Sequence, residues 1–164
     1  MILIIAGQDI SELSLALCHS EEELSDDEES HRLVFITTVS TSPEGYLATI
    51  NSKLNEWEVS LDDLEGIVIV TGPGSFTASR VSTTIANGLS FAKDIPLYTF
   101  ENPRSAPPFS PLRQGFVGQA GGYRFSLKEI VDKIDWSKPL DKNLFAVPVY
   151  DRPAQITKPK EQKN

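Results

Sequence analysis

The chain is short of thiols, of positive charge and of long apolar runs, and each shortage narrows what it does. Its 164 residues hold one cysteine, Cys18, so no disulfide forms within the chain and no cysteine-rich metal site is available. A reducing compartment suits such a sequence, and a cytoplasmic protein is expected. Lysine and arginine number 15 against 23 aspartates and glutamates, for a formal net charge of -8. A nucleic-acid backbone is therefore not an expected direct ligand, because binding it requires a concentrated cationic surface. The opening MILIIAG is apolar but lacks a basic leading segment. It is also far shorter than the ~20 apolar residues of a bilayer span. No membrane association is expected.

Much of the negative charge is local. EEELSDDEES, Glu21 to Ser30, holds seven acids and no base. These carboxylates are contiguous and lack calcium-loop spacing, so a solvated connector is expected and no metal site. The chain has room for one domain with a real core.

Around that acidic run the pattern is that of strands. Ile2 to Ile5 is a continuous apolar run rich in β-branched residues, expected as a buried strand. From Ser11 to His19, Leu13, Leu15 and Leu17 alternate with Ser14 and Ala16, the pattern of a half-buried strand. Gly7, Gln8 and Asp9 lie between them as a hairpin turn, and Arg32 to Val39 resumes strand character. Three antiparallel strands follow from this. Ser42 and Pro43 then read as N-cap and first position of a helix from Glu44 to Trp57, whose apolar face is Leu47, Ile50, Leu54 and Trp57. Ser60 with Asp63 forms a capping box.

The most informative stretch is GIVIVTGPGSFTASRVSTTIANGLSF, Gly66 to Phe91. A buried strand passes through the turn Thr71, Gly72, Pro73, Gly74 to Ser75, which caps a helix from Phe76 to Phe91; a strand from Ile95 to Phe100 completes a βαβ unit. The turn is read either as an anion site, with N–H groups and a helix N-terminus converging, or as a stiff structural turn that aims the helix. It is neither a P-loop, since no lysine follows Gly74, nor a dinucleotide fingerprint. A nucleophile elbow at Ser75 would need a glycine where Thr77 stands. On the helix, Val81, Ile85, Leu89 and Ala92 share a face suited to packing on the sheet. Ala78, Ser82 and Ala86, spaced by four, make a smooth neighbouring stripe beside Ser79, Arg80 and Thr83. That stripe suits either the domain's own helix Glu44 to Trp57 or a helix of a partner.

Beyond Phe100 the order thins. Glu101 to Leu112 holds Pro103, Pro107, Pro108 and Pro111, and Gly115, Gly118, Gly121 and Gly122 follow. Short strands are expected at Phe116 to Val117 and at Tyr123 to Phe125. A helix capped by Ser126 and Glu129 should run to Ile134, and a last strand from Leu144 to Val149. The polar tail from Asp151 is expected to be disordered.

TGPGSFTASRVSTTIANGLSFAKDIPLYTF resembles the signature of the TsaB (YeaZ) family, with Gly72 to Thr77 as its turn and Arg80 as its arginine. The first hairpin, ILIIAGQDISELSLALC, and the end, VPVYDRP, are similar to further family segments. The resemblance implies an actin-like, ribonuclease-H-like α/β fold: a complete N-terminal lobe over 1–100, a much reduced second lobe over 101–150 and a tail over 151–164. It implies a pseudoenzyme without cofactor or metal. Such a protein pairs with a TsaD-like subunit, with a TsaE-like ATPase in a larger assembly, to install threonylcarbamoyl on adenosine 37 of tRNA, which it meets only indirectly. The partner face, also used for homodimers, would comprise Leu47, Leu54, Phe76, Ala78, Ser79, Ser82, Thr83 and Ala86. Ala78 and Ser82 replace family glycines, and the family's aspartate at the first turn gives way to Ala6, Gly7 and Gln8. Two alternatives remain: a nucleotide-dependent enzyme of the same fold, with Asp9 as its acidic candidate, and a diverged self-associating protein.

Overall fold

The structure is a computed structural model describing residues 1–21, 30–102, 116–117 and 125–150. The acidic run after Glu21, most of the proline- and glycine-rich stretch, Tyr123 and the tail from Asp151 lie outside the described residues, so the expectations placed on them are not met or missed here.

Strands β1 (Ile2–Ala6), β2 (Glu12–Glu21) and β3 (Ser30–Ser40) open the chain. Helix α1 (Tyr46–Glu56), strand β4 (Gly66–Gly72), helix α2 (Phe76–Lys93) and strand β5 (Leu97–Glu101) follow. A small ribbon of β6 (Phe116–Val117) and β7 (Phe125–Ser126) leads into helix α3 (Leu127–Lys133). The main sheet has the order β3-β2-β1-β4-β5. β2 runs antiparallel to both β1 and β3, while β4 runs parallel to both β1 and β5. This is an α/β arrangement, a sheet whose first three strands meander and whose next two are joined by a helix.

Strand alternation divides the core into two layers. Leu3 and Ile5 of β1, Leu13, Leu15 and Leu17 of β2, and Ile67 and Ile69 of β4 point to one face, where Tyr46, Ile50 and Leu54 of α1 and Ala78 and Ala86 of α2 cover them. Ile2, Ile4, Ala16, Cys18, Val68 and Val70 point to the other, against Leu127, Ile130 and Val131 of α3. This corrects the half-buried reading of β2. Both of its faces are covered because α3 packs on the side that was assigned to solvent, and Ser14 is buried with its hydroxyl bonded to Thr38 at 2.7 Å.

Three further expectations need adjustment. Pro43–Gly45 forms a single 3-10 turn, and α1 begins only at Tyr46; the Ser42 side chain makes no cap bond. The buried stripe of α1 is Tyr46, Ile50 and Leu54, with Leu47 56% exposed. Leu47 lies one residue, or about 100°, off that stripe. The segment from Leu144 to Val149 is not a strand. Its backbone bonds go to a side chain of α2 and to the end of β4, and Pro148 carries no N–H for a ladder. The capping boxes at Ser60 and Ser126 are both formed, and Ser75 caps α2.

Candidate partner-binding face

The turn from Thr71 to Ser75 stands where β4 ends and α2 begins. Gly72 has φ +129, and a Cβ there would run into the Val149 carbonyl, so only glycine fits. The turn is bonded on all sides. Ser75 N–H donates to the Gln8 carbonyl at 2.8 Å, Asn102 N–H to the Gly72 carbonyl at 2.6 Å and Val149 N–H to the Thr71 carbonyl at 2.8 Å. The Ser75 hydroxyl accepts from Ala78 N–H at 3.5 Å. The N–H groups of Ser75 and Ala78 are thus spent inside the protein. These bonds suit a stiff structural turn through Gly72, Pro73, Gly74 and Ser75.

The helix that leaves this turn is oriented opposite to expectation. Ala78, Ser79, Ser82, Thr83 and Ala86 are buried against the sheet. They cannot form an outward face, and the smooth stripe is the seam along which α2 lies close on β1 and β4. Close approach is the physical reason. A Cβ on Gly7 would lie 2.7 Å from Tyr46 Cε2 and 2.8 Å from Ser82 Cβ, so no larger side chain fits at this crossing. The Ser82 hydroxyl faces the Gly7 carbonyl at 3.4 Å. Val81, Ile85 and Leu89, expected on the sheet, lie partly buried on its flank. Leu54 is likewise buried in the core.

Of the eight residues expected at a partner face, only Leu47 and Phe76 are exposed, Phe76 at 47%. The outward side of α2 consists of Phe76, Thr77, Arg80, Thr84, Gly88, Phe91 and Ala92. The Arg80 guanidinium lies 5.0 Å from the centre of the Phe76 ring, and Tyr150 meets the same ring at 4.8 Å. A Cβ on Gly88 would meet nothing within 4 Å. The sequence reading missed this second small-residue line, Thr84, Gly88 and Ala92, although its four-residue spacing is as plain as that of the first. It also missed Asn87, which holds the segment after α3 onto α2 by accepting from Ala146 N–H at 2.9 Å and donating to its carbonyl at 3.0 Å.

Two buried groups near the hairpin are shifted upward. Burial, then the nearby Asp9 and Glu44 carboxylates, pushes the Tyr46 hydroxyl up to about 12. Burial pushes the Cys18 thiol up to about 12, so it stays a protonated core group. Asp9 accepts from the Ser11 N–H at 2.8 Å and hydroxyl at 2.7 Å, which makes it the cap of the first hairpin turn. Among the described residues no three His, Cys, Asp or Glu side chains are grouped to hold a metal ion, and no helix is long and apolar enough to cross a membrane.

With α1, β4, the turn, α2 and β5 in place, comparison with known proteins is informative. The family model for "TsaD: tRNA N6-adenosine threonylcarbamoyltransferase" matches residues 44–102, the span of those elements. A Staphylococcus aureus tRNA N6-adenosine threonylcarbamoyltransferase is 41% identical over 54 residues, 33% of this chain and 16% of that protein. The Bacillus subtilis tRNA threonylcarbamoyladenosine biosynthesis protein TsaB is 37% identical over 51 residues, 31% of this chain and 22% of that protein. The chain is a diverged, partial match to the TsaB/YeaZ-like proteins. It spans less than a quarter of the length of these curated relatives. YeaZ from Pseudomonas aeruginosa superposes with a TM-score of 0.48 at 22% identity, covering 62% of this chain and 43% of that one.

Proposed function

We propose that this chain is a non-catalytic partner subunit for a TsaD-like transferase in threonylcarbamoylation of tRNA adenosine, docking through the outward side of α2 and the exposed Leu47 of α1. The observation that supports this reading most is the position of the similarity. The family model falls on residues 44–102, which hold the two helices and the turn that aims one of them, and the curated relatives include both a transferase and a TsaB protein. The docking residues differ from those expected from sequence. Phe76, Thr77, Arg80, Thr84 and Gly88 take the place of the buried stripe. The face fits a helix of the partner, because Thr84 and Gly88 leave room for a close backbone while Phe76 and Arg80 supply an aromatic and a cationic anchor. A TsaE-like ATPase in a larger assembly, and tRNA reached only through the partner, belong to the same proposal, as does a cytoplasmic location. The test is reconstitution: a purified TsaD-like transferase and its other components gain threonylcarbamoyl-tRNA formation on addition of this chain. No gain, with no co-elution of the two proteins, contradicts the proposal.

A second reading, a nucleotide-dependent enzyme, is favoured by one fact, that the matching family model is that of the transferase itself. Against it, Asp9 is engaged as a hairpin cap and the turn's Ser75 and Ala78 N–H groups are spent internally. Calorimetry with ATP and magnesium separates the two readings, since only the enzyme binds the nucleotide on its own.

A further inference from the structure

The main sheet has two edges, and they are treated differently. The outer edge of β5 is met by the chain itself, where Leu140 N–H donates to the Leu97 carbonyl at 2.7 Å. The outer edge of β3 is longer, at 11 residues, and among the described residues no strand pairs with it. From Leu33 to Ser40 it carries no charged residue and no proline, the two commonest devices that stop an edge from pairing. Val34, Phe35 and Ile36 are 48%, 37% and 40% exposed. One device is present. The register shifts between Leu17 and Cys18, which leaves Val34 as an extra residue opposite β2 and confines the regular edge to Phe35–Ser40.

We propose that the outer edge of β3 is a self-association surface on which a second copy of this chain adds its own β3, antiparallel, joining the two sheets into one. The occupant must be a strand, because a row of backbone donors and acceptors is satisfied along its length only by another such row. A second copy fits because a two-fold antiparallel pairing sets the uncharged segment against itself, so no like charges oppose one another in any register of residues 33–40. A six-residue edge alone falls short of the ~1,200 Å² of a standard stable interface. Apolar groups flank this edge on both sides of the sheet: Phe35, stacked on Trp57 at 5.4 Å, on one, and Ile36 on the other. The expected dimer is of micromolar strength, and it tightens with added salt because two copies of charge -8 repel. This surface is separate from the α2 face, so the inference stands or falls apart from the proposed function.

Sedimentation velocity on the full chain, from low to several hundred micromolar, reads the outcome. The expected result is a reversible monomer–dimer equilibrium that Ile36→Lys weakens at least tenfold without changing the far-UV spectrum, while Thr84→Arg on α2 leaves it intact. Should Ile36→Lys fail to fold, Val34→Lys is the replacement. Concentration-dependent amide protection within residues 35–40 accompanies the dimer. Three results overturn the inference: a monomer throughout the range, a dimer lost with Thr84→Arg and kept with Ile36→Lys, or β3 amides protected equally at all concentrations because the chain covers its own edge.

Discussion

The carboxamide of Asn87 brackets the peptide of Ala146, accepting from its N–H at 2.9 Å and donating to its carbonyl at 3.0 Å. This pair ties the segment after α3 to the middle of α2. From there the chain continues to Val149, which bonds the Thr71 carbonyl, and to Tyr150 on Phe76. Replacing Asn87 by Ala removes two hydrogen bonds and leaves the groups of Ala146 without partners. The expected cost is about 1–3 kcal/mol in chemical denaturation, with loss of amide protection at Ala146 and Val149. Unchanged protection there would show that the segment is held by other contacts.

Tyr46 reaches under the first hairpin, its hydroxyl donating to the Asp9 carbonyl at 2.6 Å with the Glu12 carbonyl 3.1 Å away. Tyr46→Phe keeps the ring in the core and leaves a part-buried carbonyl without its donor. A loss of about 1–2 kcal/mol in stability is expected, measured by urea unfolding. A neutral result would mean that water replaces the hydroxyl.

Stability should fall in alkaline solution for a stated reason. Cys18 and Tyr46 have ordinary values of 9.0 and 10.0, and both are raised to about 12 in the folded protein. Their contribution is complete below about pH 9. It is lost as pH rises toward 12, because the unfolded chain releases these protons first. Unfolding free energy measured from pH 8 to 12 should decline, and Tyr46→Phe should flatten the upper part of the decline. A curve indifferent to that substitution would contradict the assignment.

The inward seam of α2 is expected to tolerate little. Ser82→Trp places a large ring against Gly7 and Tyr46 and should cost about 3 kcal/mol or more. Thr84→Arg, two residues on and on the exposed side, should leave the melting temperature unchanged. Equal effects of the two on stability would refute the orientation of the helix.

The division between what was legible and what was not follows from these same residues. Strands β1 to β5, the βαβ unit and the caps at Ser60, Ser75 and Ser126 are written in local chemistry: apolar runs, turn glycines and side chains that bond their own backbone. The orientation of α2 is not local. Two small-residue lines, through Ala78, Ser82 and Ala86 and through Thr84, Gly88 and Ala92, have the same spacing. Only the tight crossing at Gly7, distant in sequence, decides which one goes inside. The burial of both faces of β2 failed for a similar reason, since α3, more than a hundred residues later, covers the side that alternation assigned to water. The segment 144–149 looks like a strand because its residues suit one, yet it makes no ladder: its bonds to the rest of the fold are to the Asn87 side chain and a single one to the Thr71 carbonyl at the end of β4.

The most direct test of the central claim, that the exposed side of α2 receives a TsaD-like partner, is a calorimetric titration of such a transferase with this chain and with its Thr84→Arg variant. Saturable binding by the parent and at least tenfold weaker binding by the variant, at equal melting temperature, is the expected result. Equal affinity for the two proteins, or no binding by the parent, would contradict it.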